Sequence, residues 1–304
     1  MNVLKPCKIV VIAGPTASGK TPVSMNIAEE INAEIISADS LLVYKHMDIG
    51  TAKPTIEERK RVTHHLIDIV EPWEEYTSSK YRIDAVAAIE DIKTRGKKFI
   101  VVGGTGFYIN ALINQTFDAP KADPALRAEL EARSDLYEEL KKVDPASAAR
   151  IHPNDRYRTV RAMEVFYATK RTMTHFREEH EKNKVKEFEP LIIVLNPSKE
   201  EQIKNIEGRT QKMLRDGLVD EVKGLLKMGA SPDHKPMQSI GYKQAVDFIN
   251  GRINKEEMAE SIRTETLALA KRQVTWFKKR EDTKWYHPLN DIGRIRNDII
   301  GFIS

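Results

Sequence analysis

The chain has 304 residues, of which 40% are hydrophobic and 31% charged, with a formal net charge of +4. This length suits one large α/β domain with an insertion, or two domains, and the composition is that of an ordinary soluble protein. No apolar run approaches the ~20 residues of a transmembrane helix, so no membrane contact is expected. The single cysteine, Cys7, excludes an internal disulfide and a multi-cysteine zinc site and favours a reducing, cytoplasmic location.

The apolar run over residues 9–12 leads directly into a glycine-rich loop with the spacing GxxxxGK[ST]. Because of that continuation, we reject a signal peptide. Glycine lets the backbone wrap a phosphate with its N–H groups pointing inward, and a following helix adds the positive end of its dipole. Lys20 supplies a mobile positive charge, and the Thr21 hydroxyl is suited to hold Mg²⁺. The pattern predicts a diphosphate or polyphosphate site formed by Gly14, Pro15, Thr16, Ala17, Ser18, Gly19, Lys20 and Thr21.

Strand-like and helical segments alternate after this loop. In chain order we predict a helix over 21–32, a strand over 34–39, a loop over 40–54, a short strand or connection over 64–69, a helix over 78–95, a strand over 99–105 and a helix ending at 112. Such alternation favours a parallel sheet covered by helices on both faces. The strand that ends at Asp39 would place its carboxylate beside the glycine-rich loop, at the edge of the sheet where ligands bind.

The pattern changes near Asp118, and residues 121–186 contain only charged, helical sequence. Two helices are predicted there from the spacing of apolar residues, which are Leu126, Leu130, Tyr137 and Leu140 in the first and Tyr157, Val160, Met163 and Phe166 or Tyr167 in the second. Asn154 or Asp155 would cap the second helix. Strand character returns at 190–195, and the remainder is predicted to be helical, over 200–215, 219–228, 241–250 and 255–279. We therefore predict an all-helical insertion over 121–186 in a P-loop-like core of residues 1–120 and 187–304.

The function of Asp39 has two interpretations at this point. A kinase or NTPase needs a Walker B carboxylate at the end of an apolar strand, and Asp39 is a candidate for it. The stronger apolar strand, however, ends in Gly103, Gly104 and Thr105. A hydroxyl with backbone N–H groups at that position suits an oxyanion better than Mg²⁺.

Nine segments in order along the chain carry a resemblance to one family: GPTASGKT, ISADS, VYKHMDIGTAKP, HHLIDI, VGGTGFYINAL, RIHPNDRYRTVRAMEV, RTQKMLRDGLVDEV, IGYKQ and AKRQVTWF. Together they resemble the tRNA dimethylallyltransferases, also called tRNA isopentenyltransferases. The resemblance implies a P-loop-type core with a helical insertion. It also implies transfer of a dimethylallyl group from dimethylallyl diphosphate to the exocyclic amine of the adenosine 3′-adjacent to the anticodon in tRNA, with release of diphosphate.

The resemblance further implies roles for individual residues. Asp39 would accept a hydrogen bond from the attacking amine, and Thr105 would orient Asp39 or the diphosphate. Lys20 and Arg209 would neutralise the leaving group, with Mg²⁺ near Thr21. The anticodon stem-loop would be bound by Asp39, Ser40, Leu41, Leu42, Thr105, Arg127, Arg158, Arg161, Gly241, Tyr242, Lys243, Lys271, Arg272 and Gln273. We expect the enzyme to act as a monomer.

Some positions depart from the family pattern, and other functions stay open. Leu42 stands where glutamine is frequent, so one polar contact to an RNA base that the family pattern implies is not expected here, and His46 stands where glycine is common. The rival functions are a small-molecule kinase or NTPase, a prenyltransferase acting on free adenine nucleotides, and a non-enzymatic RNA-binding protein. The arginines of the insertion also have a simpler interpretation, as a solvated helix surface.

Overall fold

The computed structural model describes residues 5–115, 123–183 and 185–304 of the chain. Within this part, six strands form one sheet in which every pair of neighbours is parallel. The strands are β1 Cys7–Ala13, β2 Ala33–Ser37, β3 His64–His65, β4 Lys98–Gly103, β5 Phe188–Leu195 and β6 Thr283–Tyr286. Their order across the sheet is β3-β2-β4-β1-β5-β6. The expected parallel α/β fold is confirmed.

Helices make up most of the remaining described chain. They are α1 Lys20–Ile31, α2 Ile56–Arg61, α3 Ser78–Thr94, α4 Gly106–Asn114, α5 Pro124–Ala132, α6 Leu136–Val143, α7 Pro145–Ala148, α8 Arg156–Thr169, α9 Met173–Asn183, α10 Lys199–Arg215, α11 Leu218–Lys227, α12 Tyr242–Ile249, α13 Lys255–Lys278 and α14 Ile292–Ile303. A short 3-10 helix, Lys235–Gln238, precedes α12. None of the described helices is both long and apolar enough to span a bilayer.

Both faces of the sheet are buried under helices. Side chains alternate along a strand, and in β1 Val11 packs into one hydrophobic cluster while Val10 and Ile12 pack into another. Residues of α1 and α14 belong to the second cluster, and residues of α3, α4 and α10 to α13 belong to the first. A strand covered on both faces needs apolar residues at successive positions, which explains the continuous run in β1.

The prediction that the chain after β5 is entirely helical is wrong, because it contains the strand β6. β6 pairs with β5, in a register that opposes Thr283 to Ile192 and Tyr286 to Leu195. Its four residues include an exposed Lys284 and a partly buried Thr283, so no apolar run marks the strand. The helix α14 follows, with Ile295 and Ile299 completely buried.

The described chain divides into two compact units, Met1–Ile113 with Glu187–Ser304, and Asn114–Lys186. The expected boundary between residues 120 and 121 lies outside the described residues. Every described element of the second unit from α5 to α9 is a helix, and this unit has a hydrophobic cluster of its own.

The expected first helix of the second unit is wrong in one respect, because it is broken into α5 and α6. Asp135 lies at the N-cap position of α6, and Arg133 bonds to both Asp135 and Glu139 across the break. These contacts stabilise a turn where apolar spacing alone suggests continuity. All four apolar residues of the expected face still pack into the cluster of the second unit.

The second predicted helix is confirmed as α8, with one error in its buried face. Asp155 is the N-cap, and its side chain accepts a hydrogen bond from the Arg158 N–H. Val160 and Met163 are fully buried as expected, but Tyr157 is 68% exposed. Tyr157 lies in the first turn of the helix, where its ring stacks under the Arg127 guanidinium at 4.9 Å.

Candidate active site at the carboxyl edge of the sheet

The glycine-rich loop joins the carboxyl end of β1 to the first turn of α1. A Cβ atom on Gly14 would lie 2.5 Å from the Leu195 carbonyl oxygen, so β5 approaches too closely for any other residue. Gly19, with φ 82°, provides the left-handed conformation at the helix N-cap. The Ser18 Oγ atom is buried here and has no hydrogen-bond partner among the described residues. An unpaired buried donor beside a helix N-terminus is suited to an anionic ligand.

Lys20 is held against the loop that it belongs to. Its Nζ atom donates to the carbonyl oxygens of Gly14, at 3.0 Å, and Pro15, at 2.7 Å. Burial lowers the pKa of the Lys20 ammonium to about 8, with Asp39 opposing this effect and Arg209 adding to it. The ammonium is therefore mostly charged at pH 7, next to the backbone that would surround a phosphate.

A cavity of ≈ 770 Å³ opens beside the loop, which is within the size range of small-molecule sites. All four expected catalytic residues line it, from four different parts of the first unit: Lys20, Asp39, Thr105 and Arg209. Apolar side chains of α10 and α13 and of the segment before α12 line it too, namely Ile206, Met213, Ile240, Ile262, Leu269 and Phe277. The site therefore combines an anion-binding loop, a carboxylate and an apolar wall.

The Asp39 carboxylate has one oxygen engaged and one without a partner. Its Oδ1 atom accepts a hydrogen bond from the Leu41 N–H at 2.9 Å, which forms a local turn. Its Oδ2 atom has no hydrogen bond to any described residue. Thr105 does not bond to this carboxylate. It holds the turn instead, because its N–H donates to the Ala38 carbonyl and its Oγ1 atom accepts from the Ser40 N–H.

Arg209 connects the glycine-rich loop to the segment before α2. Its Nη1 atom donates to Thr16 Oγ1 at 3.2 Å, and its Nη2 atom donates to the Thr51 carbonyl at 2.8 Å. Burial lowers the pKa of the guanidinium, while Asp39 and Tyr242 raise it, and an arginine stays charged throughout the physiological range.

Gln273, which is expected from the sequence to contact tRNA, lies in the wall of the cavity. Its Oε1 atom accepts from the Thr16 N–H at 2.8 Å, and its Nε2 atom donates to the Gly104 carbonyl at 2.9 Å. The helix α13 approaches the chain closely here, because a Cβ on Gly106 would lie 2.4 Å from the Trp276 ring. Gln273 therefore couples the loop after β1 to the turn after β4.

The other expected tRNA contacts of the first unit differ in exposure. Ser40, Leu41, Leu42 and Arg272 line the cavity, whereas Lys271 and Lys243 are exposed outside it. Gly241 is buried with φ 95°. Tyr242 is 0% exposed and donates its hydroxyl to Glu221, so it presents no surface to RNA in this structure.

The three expected arginines of the second unit already have partners. Arg127 pairs with Glu131, and Arg158, whose side chain is 60% exposed, pairs with Asp155. Arg161 pairs with Glu164, whose side chain is only 1% exposed. Arg158 is thus a solvated charge, and Arg161 also balances a buried carboxylate.

Two further residues, one in the cavity wall and one outside the cavity, carry no motif-based prediction. Phe107 lines the cavity although its side chain is 65% exposed, an arrangement suited to contact with a ligand. Glu221 bonds to backbone groups 171 to 173 residues away in the chain. The aromatic residue directly after GGTG was a usable signal for Phe107, but nothing local to Glu221 indicates its partners.

The residues present fit a magnesium ion that is bound mainly by a diphosphate. Mg²⁺ is usually held by one or two protein oxygens together with phosphate oxygens and water. The Thr21 hydroxyl makes no hydrogen bond to a described residue, and Thr21 and Asp39 line the same cavity. Among the described residues there is no cluster of three or more His, Cys, Asp or Glu side chains, so an all-protein metal cage is absent from that part of the chain.

Known proteins share both the sequence and the fold of this chain. The model of the IPP transferase family matches residues 42–280. A tRNA dimethylallyltransferase of Thermotoga maritima is 44% identical over 298 residues, covering 96% of both chains. A tRNA dimethylallyltransferase of Citrifermentans bemidjiense is 43% identical over 302 residues, covering 99% of this chain and 98% of that protein.

Two solved structures extend the comparison. A full-length tRNA isopentenylpyrophosphate transferase from Bacillus halodurans is 36% identical, with a TM-score of 0.73, and the match covers 97% of this chain and 96% of that one. A eukaryotic dimethylallyltransferase acting on tRNA is 31% identical, with a TM-score of 0.84, over 97% of this chain and 80% of that one. The chain belongs to the IPP transferase family.

Proposed function

We propose that this chain is a tRNA dimethylallyltransferase. It transfers a dimethylallyl group from dimethylallyl diphosphate to the exocyclic amine of the adenosine 3′-adjacent to the anticodon in tRNA and releases diphosphate. The observation that carries this function is the single cavity lined by both the glycine-rich loop and Asp39, in a chain of the IPP transferase family. One side of the cavity suits a diphosphate, and its carboxylate suits an attacking amine.

The first task of the site is to stabilise the leaving group. As the bond between the allylic carbon and oxygen breaks, negative charge grows on the diphosphate. The loop N–H groups, the Lys20 ammonium and the Arg209 guanidinium would neutralise that charge. Lys20 would exchange its contacts with the loop carbonyls for contacts with the diphosphate. When bound near Thr21, Mg²⁺ supplies further positive charge to the leaving group.

The second task is to remove a proton from the amine as it bonds to carbon. The Asp39 Oδ2 atom is the acceptor, because Oδ1 is held by the turn to Leu41. A carboxylate in this position can accept the proton that the amine loses as the N–C bond forms. Thr105 acts indirectly, because its hydroxyl holds the Ser40 backbone next to the Asp39 carboxylate.

The third task is to bind a base that must leave the stack of the anticodon loop. Extruding a base costs a few kcal/mol, so extensive contact with the RNA backbone has to offset it. The expected contacts are the exposed Lys243 and Lys271, with Arg272 at the cavity and Arg127, Arg158 and Arg161 on the second unit. The exposed ring of Phe107 is suited to stack on a base at the cavity.

The enzyme would work in the cytoplasm with Mg²⁺ and as a monomer. The single cysteine is consistent with a reducing compartment. The kinase or NTPase alternative has less support, since β4 ends at Gly103 and is followed by Gly104 and Thr105, with no second carboxylate at this strand end.

The test is incubation with radiolabelled dimethylallyl diphosphate and unmodified tRNA, followed by nuclease digestion to locate the label. We expect label on the adenosine 3′-adjacent to the anticodon. Label on free adenine nucleotides, or ATP turnover without labelled tRNA, would contradict the assignment. Lys20→Ala and Arg209→Ala are the matched controls, because they should impair use of the diphosphate and leave tRNA binding nearly intact. Equal loss of tRNA affinity in both variants would count against their place on the diphosphate.

A further inference from the structure

The Glu221 carboxylate, on α11, accepts four hydrogen bonds and lies outside the cavity. Its Oε2 atom accepts from the backbone N–H groups of Asp48, at 2.9 Å, and Ile49, at 2.7 Å. Its Oε1 atom accepts from the Gly50 N–H at 3.2 Å and from the Tyr242 hydroxyl at 2.6 Å. Three successive backbone donors therefore converge on one side chain. Hydrogen bonds to a charged acceptor are stronger than neutral ones, so this carboxylate holds the segment firmly.

Tyr242 also supports the backbone of residues 48–50. A Cβ atom on Gly50 would lie 2.4 Å from the Tyr242 ring, so the backbone at Gly50 rests directly on the ring. Burial and the neighbouring Glu221 raise the pKa of the Tyr242 phenol well above its ordinary value, so it remains a donor at every physiological pH. Residues 48–50 are thus fixed from α11 and α12 together.

The fixed segment, residues 48–50, is followed directly by Thr51, which bonds to Arg209. The Thr51 carbonyl accepts from Arg209 Nη2, and Arg209 Nη1 donates to Thr16 in the glycine-rich loop. A second anchor lies on the other side of the segment, where the buried Lys53 ammonium bonds to Tyr44, Asp48 and Asp68. Thr51 is therefore held between two charged anchors, and its carbonyl sets the position of the guanidinium.

We propose that Glu221 is a positioning residue for the diphosphate clamp. It touches no substrate, and it acts by fixing residues 48–50 so that the Thr51 carbonyl aims Arg209 at the anion bound by the glycine-rich loop. This role rests on the proposed function, which identifies the bound anion as a diphosphate. It needs no tRNA and no motion of the second unit.

The test measures the affinity of inorganic pyrophosphate, with Mg²⁺ present, by titration calorimetry on the full chain. Glu221→Gln replaces one acceptor oxygen by an NH₂ group that faces backbone donors. We expect pyrophosphate binding to weaken about tenfold, the effect of losing roughly one charge-assisted hydrogen bond. Tyr242→Phe keeps the ring beneath Gly50 and removes a single donor, so we expect a loss of about threefold or less.

A double-mutant cycle separates positioning from general structural damage. If Glu221 acts through Arg209, Glu221→Gln should change pyrophosphate affinity less than about twofold in the Arg209→Ala background. The matched control is Glu257→Gln, because the Glu257 side chain also accepts a backbone hydrogen bond, from the Asn254 N–H, but belongs to the N-terminal cap of α13. It should leave pyrophosphate affinity unchanged. An additive loss in the double variant, or unchanged binding in Glu221→Gln, would overturn the positioning role.

The outcome for Glu221 is distinguishable from the outcome for the proposed function. If the chain prenylates tRNA but the double-mutant cycle shows no coupling between Glu221 and Arg209, only the positioning role is contradicted. Coupling in the pyrophosphate titration, with no label transferred to tRNA, would remove the proposed function and leave Glu221 as the support of an anion clamp.

Discussion

The Oγ1 atom of Thr105 accepts a hydrogen bond from the Ser40 N–H at 3.0 Å, so the turn after β4 fixes the turn after β2. Asp39 lies next to this contact, with one carboxylate oxygen already held by the Leu41 N–H. The orientation of its other oxygen therefore depends on Thr105, although the two side chains do not bond.

Thr105→Val should slow the chemical step by about five- to thirtyfold, because it removes two neutral hydrogen bonds to Ser40, each contributing ~1 kcal/mol, beside the proposed base. Thr105→Ser keeps the acceptor and should retain most of the rate. The measurement is the single-turnover rate with saturating tRNA and dimethylallyl diphosphate. Pyrophosphate affinity should be equal in both variants, and a Val variant that loses only that affinity would assign Thr105 to the diphosphate.

Asp39→Asn should lower the single-turnover rate by ~10²–10⁴-fold while both substrates still bind, since general base catalysis contributes about that much. Asparagine can still accept the hydrogen bond from Leu41, so the turn should persist, but it has no charge to receive a proton. Asp39→Ala should be at least as slow.

A magnesium titration of Asp39→Asn distinguishes the general base from a metal ligand. If Asp39 holds Mg²⁺, the variant should lose metal-dependent diphosphate affinity, and excess Mg²⁺ should partly restore the rate. Rescue by metal would therefore exclude the general-base role. A rate that stays low across the titration would support it.

Pyrophosphate affinity should fall as the pH rises through about 8. Burial lowers the Lys20 pKa to that value, so the folded protein loses this positive charge well below the pH at which an ordinary lysine does. Below that pH the charge is present and Lys20 contributes fully to binding. Above it, each pH unit should weaken binding by up to about tenfold, until the complex also loses the proton.

Lys20→Arg is the control for this pH profile, because arginine keeps its charge and retains only the pH dependence of pyrophosphate itself. The difference between the two pH profiles gives the contribution of the Lys20 charge to pyrophosphate affinity. Parallel profiles would show that Lys20 does not change its charge in this range.

Arg158 and Arg161 should respond differently to substitution, although they lie three residues apart on α8. Arg158→Gln should reduce the slope of log affinity for tRNA against log salt by about 1, if Arg158 contacts a phosphate, and leave the melting temperature unchanged. Arg161→Gln leaves the buried Glu164 without this ion-pair partner, a change that typically costs ~3–5 kcal/mol of stability. Thermal unfolding and salt-dependent binding measured on both variants check this. An unchanged slope for Arg158→Gln would show that the residue only solvates the helix.

The elements around the glycine-rich loop could be predicted from the sequence because their signals are local. Continuous apolar residues mark β1, and glycine spacing marks the turn into α1. The break at residues 133–135 depends instead on side-chain contacts of Arg133, and β6 depends on an existing edge at β5. Neither has a periodic apolar pattern, so spacing alone could not find them.

The same distinction applies to the candidate site. Lys20, Asp39, Thr105 and Arg209 lie in recognisable segments and do line one cavity. The functions of Gln273 and Glu221 lie in contacts that span 257 and 171 to 173 residues. Such contacts exist only after the sheet has brought distant turns together, so a motif can name the residue without indicating what it touches.

The place of β1 in the sheet has a consequence for synthesis on the ribosome. One edge of β1 pairs with β4, but the other pairs with β5, which begins about 180 residues after β1. At roughly 5–20 residues per second, that partner emerges some 10–40 s later. Meanwhile a nascent sheet ending at β1 presents an unpaired, strongly apolar edge, the kind of surface on which chains aggregate. Polypeptides released before β5 is made should therefore be the insoluble products of this gene.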